Sequence, residues 1–511
     1  MAHRSGRTKE GQAKGRFEER KPLSVIDIGS NSVRLVTYEG LTRSPSILFN
    51  EKVLCGLGKG VAETGKLEEG AKTRAIRAIR RFAAISERIE ADKMHVLATA
   101  AVREAENGQG FLKEIKEICG KPVKVLSGKQ EANYASLGIL SGFHEPQGIV
   151  GDLGGGSLEL AGIGNSKTNG ATTPLGGLRL EQLSGGDLAA ARELAASTLC
   201  EVNVDWPHKT KDFYAIGGTW RSLARLHMAK VSYPIEVVHG YEVAAEEYIE
   251  FCDWVVEKGI DKLAKAGAVS KNRRGLIPFG AVVMSETLKS LKAERVIMSA
   301  AGMREGFLYS LLSGKKKTAD SLLEATRELS LLRARSPKHC LELATWTELA
   351  FAELGIAETY DESRHRVASC YLADIAWRSK SDHRAQQTLG IILNSGFGGI
   401  DHSGRAYLAI AIFHRYEGMG SKTRQPAIAS LANKRQVKRA RILAALFRVL
   451  YLFSASMQGV LPELKFKKSG KDRYVLEIPE KISNLCGERP EVGIEQLSKE
   501  LEKIVELKIV A

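Results

Sequence analysis

Two stretches of this chain place acids beside glycine-rich turns. In Gly151–Leu160 the order is Gly-Asp-Leu-Gly-Gly-Gly-Ser-Leu-Glu-Leu, an apolar lead-in, Asp152, the glycines 154, 155 and 156, Ser157, and a second apolar segment carrying Glu159. Glycine reaches backbone conformations barred to other residues and lets a ligand approach the main chain. Successive exposed N–H groups in such a turn form an anion-binding nest. An acid next to a nest points to a bound cation or an ordered water, because a bare carboxylate repels phosphate. A single Gly-rich turn can equally be a plain tight turn. Here the grammar repeats: Val25–Val36 runs apolar strand, Asp27, Gly29, Ser30, Asn31, Ser32, apolar strand. A third variant, Phe213–Thr219, carries Gly217 and Gly218 and opens into the helical pattern of residues 220–230. Two strand–Asp–Gly–strand hairpins over a hundred residues apart predict a duplicated fold whose halves grip one phosphate chain across a cleft.

Other residues could complete that chemistry. Thr99 and Arg103 follow the apolar run 94–99 and open a helix at residues 100–107, a junction suited to anion contact; a capping Thr and a surface Arg fit the spacing equally well. Ser127-Gly128-Lys129-Gln130-Glu131 leads into a helix read from Ala132, which puts Glu131 at its first turn. Glu131 reads either as a capping acid favoured by the helix dipole or as a general base at the cleft mouth. Ser299–Gly306, with Arg304, is a further strand-to-helix turn that could touch phosphate or simply turn the chain.

Elements to position these residues can be read in order. Residues 23–39 form the first hairpin, 47–54 a strand, 69–91 a helix with an arginine stripe (Arg74, Arg77, Arg80, Arg81, Arg88) that reads as a solvated face. A strand at 123–126 precedes the Glu131 helix, and the second half repeats the pattern through hairpin 148–163, strand 213–216 and the helix at 276–292. Beyond Lys315-Lys316-Lys317 the spacing becomes almost wholly helical to residue 458. A hairpin is expected at 464–478 and a short helix or strand at 495–510. The expected organisation is a tail at 1–20, lobes at 21–145 and 146–315, and a mainly helical extension at 316–511.

A chain of 511 residues exceeds one core. No apolar run reaches bilayer length, and the charged start lacks a secretory signal. Seven scattered cysteines without CxxC pairs fit reduced thiols and a cytoplasmic location, with neither a disulfide framework nor a zinc site. The net charge of +15 favours polyanionic partners. Aromatics make up only 6% and do not alternate with basic residues, which disfavours nucleic acid.

Residues 23–311 resemble the exopolyphosphatase / guanosine pentaphosphate phosphohydrolase (Ppx/GppA) family, in the superfamily of actin and the sugar kinases. The segments that carry the likeness are DIGSNSVRL (27–35), ATAAVREAEN (98–107), SGKQEA (127–132), GDLGGGSLEL (151–160), PLGGLRLEQ (174–182), AIGGTW (215–220), VVHGY (237–241) and MREGFL (303–308). The resemblance implies an α/β fold of two ribonuclease-H-like (actin-like) lobes and hydrolysis of a terminal phosphoanhydride of polyphosphate or guanosine pentaphosphate with Mg²⁺. It makes Glu131 the base, and Asp27, Asp152 and Glu159 the acids that hold metal and order water. The turns Gly29–Ser32 and Gly154–Ser157 become phosphate loops, with Thr99 and Arg103 near the bound phosphate. A homodimer is compatible with it. Residues 319–511 are similar to a degenerate HD-type domain, with Ala373-Asp374 where a His-Asp pair is expected. Its basic helix (Lys434, Arg435, Lys438, Arg439, Arg441, Arg448) could guide a polyphosphate tail or be a solvated face. A phosphotransferase of the same superfamily is a second reading, and a polyanion-binding protein without turnover a third; the four acids argue against the latter.

Overall fold

The computed structural model describes residues 17, 19–163, 170–204, 206, 211–262, 267, 269, 271–420 and 425–511. The expected tail at 1–20 lies almost wholly outside these residues. The chain divides into two compact units. One comprises the described residues up to Tyr233 with Val238–Ala319, the other Pro234–Val237 with Asp320–Ala511.

The first unit holds two sheets with the same core order. Strand β1 (Leu23–Ile28) pairs antiparallel with β2 (Ser32–Tyr38), β2 antiparallel with β3 (Ile47–Leu54), and β1 parallel with β4 (Lys93–Ala98), which pairs parallel with β5 (Val123–Val125). In the second sheet β6 (Gly148–Leu153) pairs antiparallel with β7 (Leu158–Ile163), and β7 with β8 (Gly170–Thr173). β6 lies parallel to β9 (Asp212–Gly217), and β9 to β11 (Arg295–Met298). A short antiparallel strand, β10 (Glu242–Ala244), is added at the edge of β11. The orders β3-β2-β1-β4-β5 and β8-β7-β6-β9-β11 are thus equivalent, which is the duplication the two hairpins announce.

Burial follows from composition. β1 and β6 are apolar on both faces, as strands covered on both sides must be. Edge strand β3 alternates between exposed and half-buried positions. On the first sheet the helices Glu69–Arg88 and Gly108–Cys119 bury Ile79, Phe82, Phe111 and Ile115. The arginine face of Glu69–Arg88 points outward, and Arg81 lies bidentate on Glu51. The second lobe packs around Phe213, Trp220, Tyr248 and Phe251.

The helix expected at 100–107 is shorter than its spacing implies. It spans Ala100–Glu104, turns extended at Ala105, and restarts at Gly108. Both ends of the Asn107 side chain bond the backbone of Leu67, and a Cβ at Gly108 would lie 2.3 Å from the Val102 carbonyl. The turn is therefore locked by groups forty residues upstream.

In the second unit the helices run Ser321–Arg333, Pro337–Glu353, Tyr360–Leu372, Arg384–Asn394, His402–Glu417 and Lys434–Ser454. Residues 464–510 extend the expected hairpin to three strands. β12 (Lys465–Lys468) pairs with β13 (Arg473–Pro479), and β14 (Ile504–Val510) joins parallel to β13 after the helix Glu488–Leu501. The ending is both helix and strand, because Glu502 takes a left-handed turn (φ 56°) that stops the helix.

Candidate functional site

A cleft of about 460 Å³ opens between the two sheets' equivalent turns. The turns are built alike: Gly29 N donates to Ser32 O at 3.0 Å, and Gly154 N to Ser157 O at 2.9 Å. They meet closely. A Cβ on Gly155 would stand 3.2 Å from Ser30 Cβ, and one on Gly156 3.3 Å from Ser30 Oγ. Gly176 supports the second turn from behind, where a Cβ would come within 2.2 Å of Ser157 N.

Of the sequence-predicted residues, Asp27, Gly29, Ser30, Asn31, Ser32, Thr99, Glu131, Asp152, Gly154, Gly155, Gly156, Ser157, Glu159, Gly217 and Gly218 all line this cleft. Thr99 Oγ1 lies 3.3 Å from the Ile28 carbonyl, so its hydroxyl ties β4 to β1. Arg103, expected near the bound phosphate, lies against Glu131, which lines the cleft. Its Nη1 bonds Glu131 Oε1 and donates to the Leu126 carbonyl at 2.6 Å, and the residue is not among those lining the cleft. A guanidinium held by a carboxylate and a carbonyl positions Glu131 instead.

Glu131 sits in the first turn of the helix Gly128–Gly142, whose end is fixed by the Ser127/Gln130 capping box. That helix crosses Met303–Leu311 through glycines: a Cβ on Gly306 would fall 1.8 Å from Tyr134 O, and one on Gly138 2.3 Å from Gly302 O. The crossing joins the Glu131 helix to the one carrying Arg304. There, Arg304 donates to Tyr38 Oη at 3.2 Å and to Glu305 Oε1 at 3.0 Å, and stands 3.8 Å from Asp27 Oδ2.

Register sets the charge pattern. In the first sheet Asp27, Arg34 and Lys52 face one another across β1, β2 and β3. In the second, Asp152, Glu159 and Thr172 occupy the equivalent row across β6, β7 and β8. The duplicated hairpin therefore carries a base in one lobe where the other carries an acid. Arg304, from the turn read as able to touch phosphate, lines the cleft, as do Arg34, Lys52, Arg221, Arg225 and Arg273, which the sequence reading does not single out. Arg34 had a signal, since overlaying DIGSNSVRL on DLGGGSLEL sets it on Glu159. Arg221 and Arg225 share a helix face just after Gly218. Arg273, which donates to the Gly218 carbonyl at 3.1 Å, comes from a separate short helix that no motif marks.

Both sets of charges are held away from their ordinary ionisation. Burial pushes the Glu131 carboxyl up to about 7, against the pull of Arg103. It raises Asp152 to about 6, and raises Asp27, against Arg304 and Arg34. Glu159 stands well above the usual carboxylate range through burial and the neighbouring Glu131, and its Oε1 is buried without a hydrogen-bond partner. On the basic side, burial with Arg273, Arg34 and Arg221 nearby lowers Lys52 to about 8, and burial lowers Arg221 to about 10. Such a cleft gains from an anion on its basic side and from a cation among its acids. Among the described residues no three His, Cys, Asp or Glu side chains form a closed metal cage. A hard divalent ion held by one or two carboxylates and by ligand oxygens does not need one.

In the C-terminal unit Asp374 is buried and paired with Arg335 at 2.7 Å and Arg415 at 3.4 Å. The HD-type likeness finds no support there. The basic helix is also largely committed: Arg435 and Arg439 pair with Glu362, Arg441 with Glu500, and Lys438 stands 3.6 Å from Glu502. Its expected role in guiding a polyphosphate tail is not what these partners indicate.

Two equivalent sheets closing on paired acid–glycine turns define an actin-like fold. The chain belongs to the Ppx/GppA phosphatase family, whose model matches residues 25–315, and the model of the exopolyphosphatase C-terminal region matches 322–507. It is 26% identical over 430 residues to retrograde regulation protein 2 of Saccharomyces cerevisiae, covering 74% of this chain and 73% of that one. It is 26% identical over 327 residues to exopolyphosphatase 1 of Mycobacterium bovis, covering 61% and 94%. The crystal structure of an exopolyphosphatase from Cytophaga hutchinsonii shares the fold, with a TM-score of 0.50 at 21% identity over 57% of this chain and 97% of that one. No helix among the described residues is long and apolar enough to cross a membrane.

Proposed function

We propose that this chain is an exopolyphosphatase that hydrolyses the terminal phosphoanhydride of inorganic polyphosphate. The observation that carries the reading is the division of one cleft into an acid set (Glu131, Asp152, Glu159, Asp27) and a basic set headed by Arg34, Lys52 and Arg221. The turns Gly29–Ser32 and Gly154–Ser157 would hold the terminal phosphoryl oxygens by N–H and hydroxyl groups, and the basic set the phosphates behind it. Glu131, raised to about 7, is half ionised near neutral pH and is suited to take a proton from an attacking water. Arg103 keeps that carboxylate oriented. One or two of Asp27, Asp152 and Glu159 would hold a Mg²⁺ ion, since their burial and mutual repulsion, with the orphaned Glu159 Oε1, call for a cation. Such an ion would neutralise charge on the phosphoryl oxygens when bound.

Polyphosphate is favoured over guanosine pentaphosphate because the described residues lining the cleft include no aromatic ring on which a base could stack. The test is phosphate release from long-chain polyphosphate with Mg²⁺, beside Glu131→Gln. Release by the wild type, lost by about 10²–10⁴-fold in a variant that still binds polymer, supports both reaction and base. A wild type active only on guanosine pentaphosphate would transfer the reading to that substrate, and equal rates in both proteins would discard Glu131 as base.

A further inference from the structure

A second cavity, of about 740 Å³, lies wholly within the C-terminal unit. Among the described residues its lining carries five guanidinium groups, Arg335, Arg384, Arg415, Arg448 and Arg489, against one carboxylate, Glu488. Asp374, buried behind them, is shared by Arg335 and Arg415. The other partners are neutral. Arg384 donates to the carbonyls of Ser379 and Trp377, and Arg448 to the Arg415 carbonyl and to Gln496 Oε1. Neutral acceptors satisfy N–H groups without cancelling charge, so five positive charges meet two negative ones.

The most buried of the five is Arg415, whose side chain is 6% exposed. Its guanidinium lies 3.7 Å from the Tyr451 ring centre and 4.1 Å from that of Tyr416, and its Nε and Nη1 have no hydrogen-bond partner. Burial, with Arg415 alongside, holds Arg448 below its ordinary range. Gathering like charges at low dielectric is costly unless an anion joins them. Arginine's planar fork matches phosphate oxygens two at a time, and guanidiniums on several walls suit more than one phosphate. Leu452 and Val492, both partly exposed, add an apolar wall beside them.

We propose that this cavity is a second anion site, which takes the diphosphate group of a ligand independently of the cleft in the other unit. The free source would be inorganic pyrophosphate; the alternative is a nucleoside diphosphate whose base lies on Leu452 and Val492.

The full-length protein, free of divalent metal, would be titrated calorimetrically with pyrophosphate and, separately, with ADP. Two sites per chain for pyrophosphate are expected, one of them lost, by tenfold or more in affinity, in the Arg384→Gln/Arg489→Gln double variant. Tighter binding of ADP than of pyrophosphate at the site removed by that variant assigns the nucleoside source, and equal or weaker binding the inorganic one. Because a loss could reflect misfolding, Glu488→Gln provides a gain. Removing the one lining acid should tighten the same site about two- to fivefold, the scale of one exposed charge. No site removed by the double variant, whether the wild type shows one site or two, or an unchanged affinity in Glu488→Gln would overturn the assignment.

Discussion

Replacing Arg103 with leucine should move the pH dependence of the reaction rather than abolish it. Arg103 bonds Glu131 from behind the cleft and is the main influence opposing the burial that lifts this carboxyl to about 7. A hydrogen bond to a charged group is worth roughly 1.5–3 kcal/mol, and one pKa unit corresponds to about 1.4 kcal/mol, so its loss should raise Glu131 by about 1–2 units. The base works as the carboxylate, so a higher pKa leaves less of the active form at a given pH. The acidic limb of kcat/KM should therefore move up from near 7 to about 8–9. At pH 7 the ionised fraction falls from about one half to about 10% or 1%, a loss of roughly 5- to 50-fold that recovers as pH rises. Arg103→Lys, which keeps the charge without the fork, should shift the limb less. The assay is phosphate release across pH 5.5–9.5, with polymer binding measured in parallel. A loss of the same size at every pH, with the limb unmoved, would refute the electrostatic coupling and leave Arg103 a packing residue.

Three further outcomes follow from the same geometry. Lys52, lowered to about 8 by burial and the neighbouring arginines, should gain a proton when a polyanion binds; calorimetry at pH 8 in buffers of different ionisation enthalpy should register proton uptake that Lys52→Met removes. Metal-free protein should lose stability as pH rises from 5 to 8. The buried acids have folded pKa values above their unfolded ones, so the folded state binds more protons in that window and is favoured at its acid end. Asp152 alone, raised from 3.8 to about 6, contributes about 1.4 kcal/mol to the loss between pH 5 and 8, and Mg²⁺ should offset part of it at pH 8. Gly306→Ala would press a methyl against the Tyr134 carbonyl, costing about 1–3 kcal/mol in a urea titration and lowering kcat by displacing the Glu131 helix.

Much of this protein is legible in its residues. An apolar run, an acid, a Gly-rich turn and a second apolar run specify a hairpin whose tip has no side chains to hold a facing turn away, as the 3.2 Å from a Cβ on Gly155 to Ser30 Cβ shows. The repetition of that pattern from Asp27 to Asp152 announces two equivalent lobes. Glu131 is also recoverable, since Ser127 and Gln130 fix where its helix begins. What was not legible depends on partners distant in the chain. Arg103 has the spacing of an anion ligand but bonds Glu131, 28 residues on, and in the basic helix from Lys434 Arg435, Arg439 and Arg441 pair with Glu362 and Glu500. Arg273 enters the cleft from a segment without a motif.

Sequence by itself thus determined the turns, the acids and the duplication, all of which arise from local backbone preference and from side-chain type. Tertiary structure alone decided which charges remain unpaired. Strand register sets Arg34 and Lys52 in the row of Asp27, and Glu159 in the row of Asp152. Burial then shifts each group's ionisation by an amount that depends on neighbours from other elements, which no local pattern encodes.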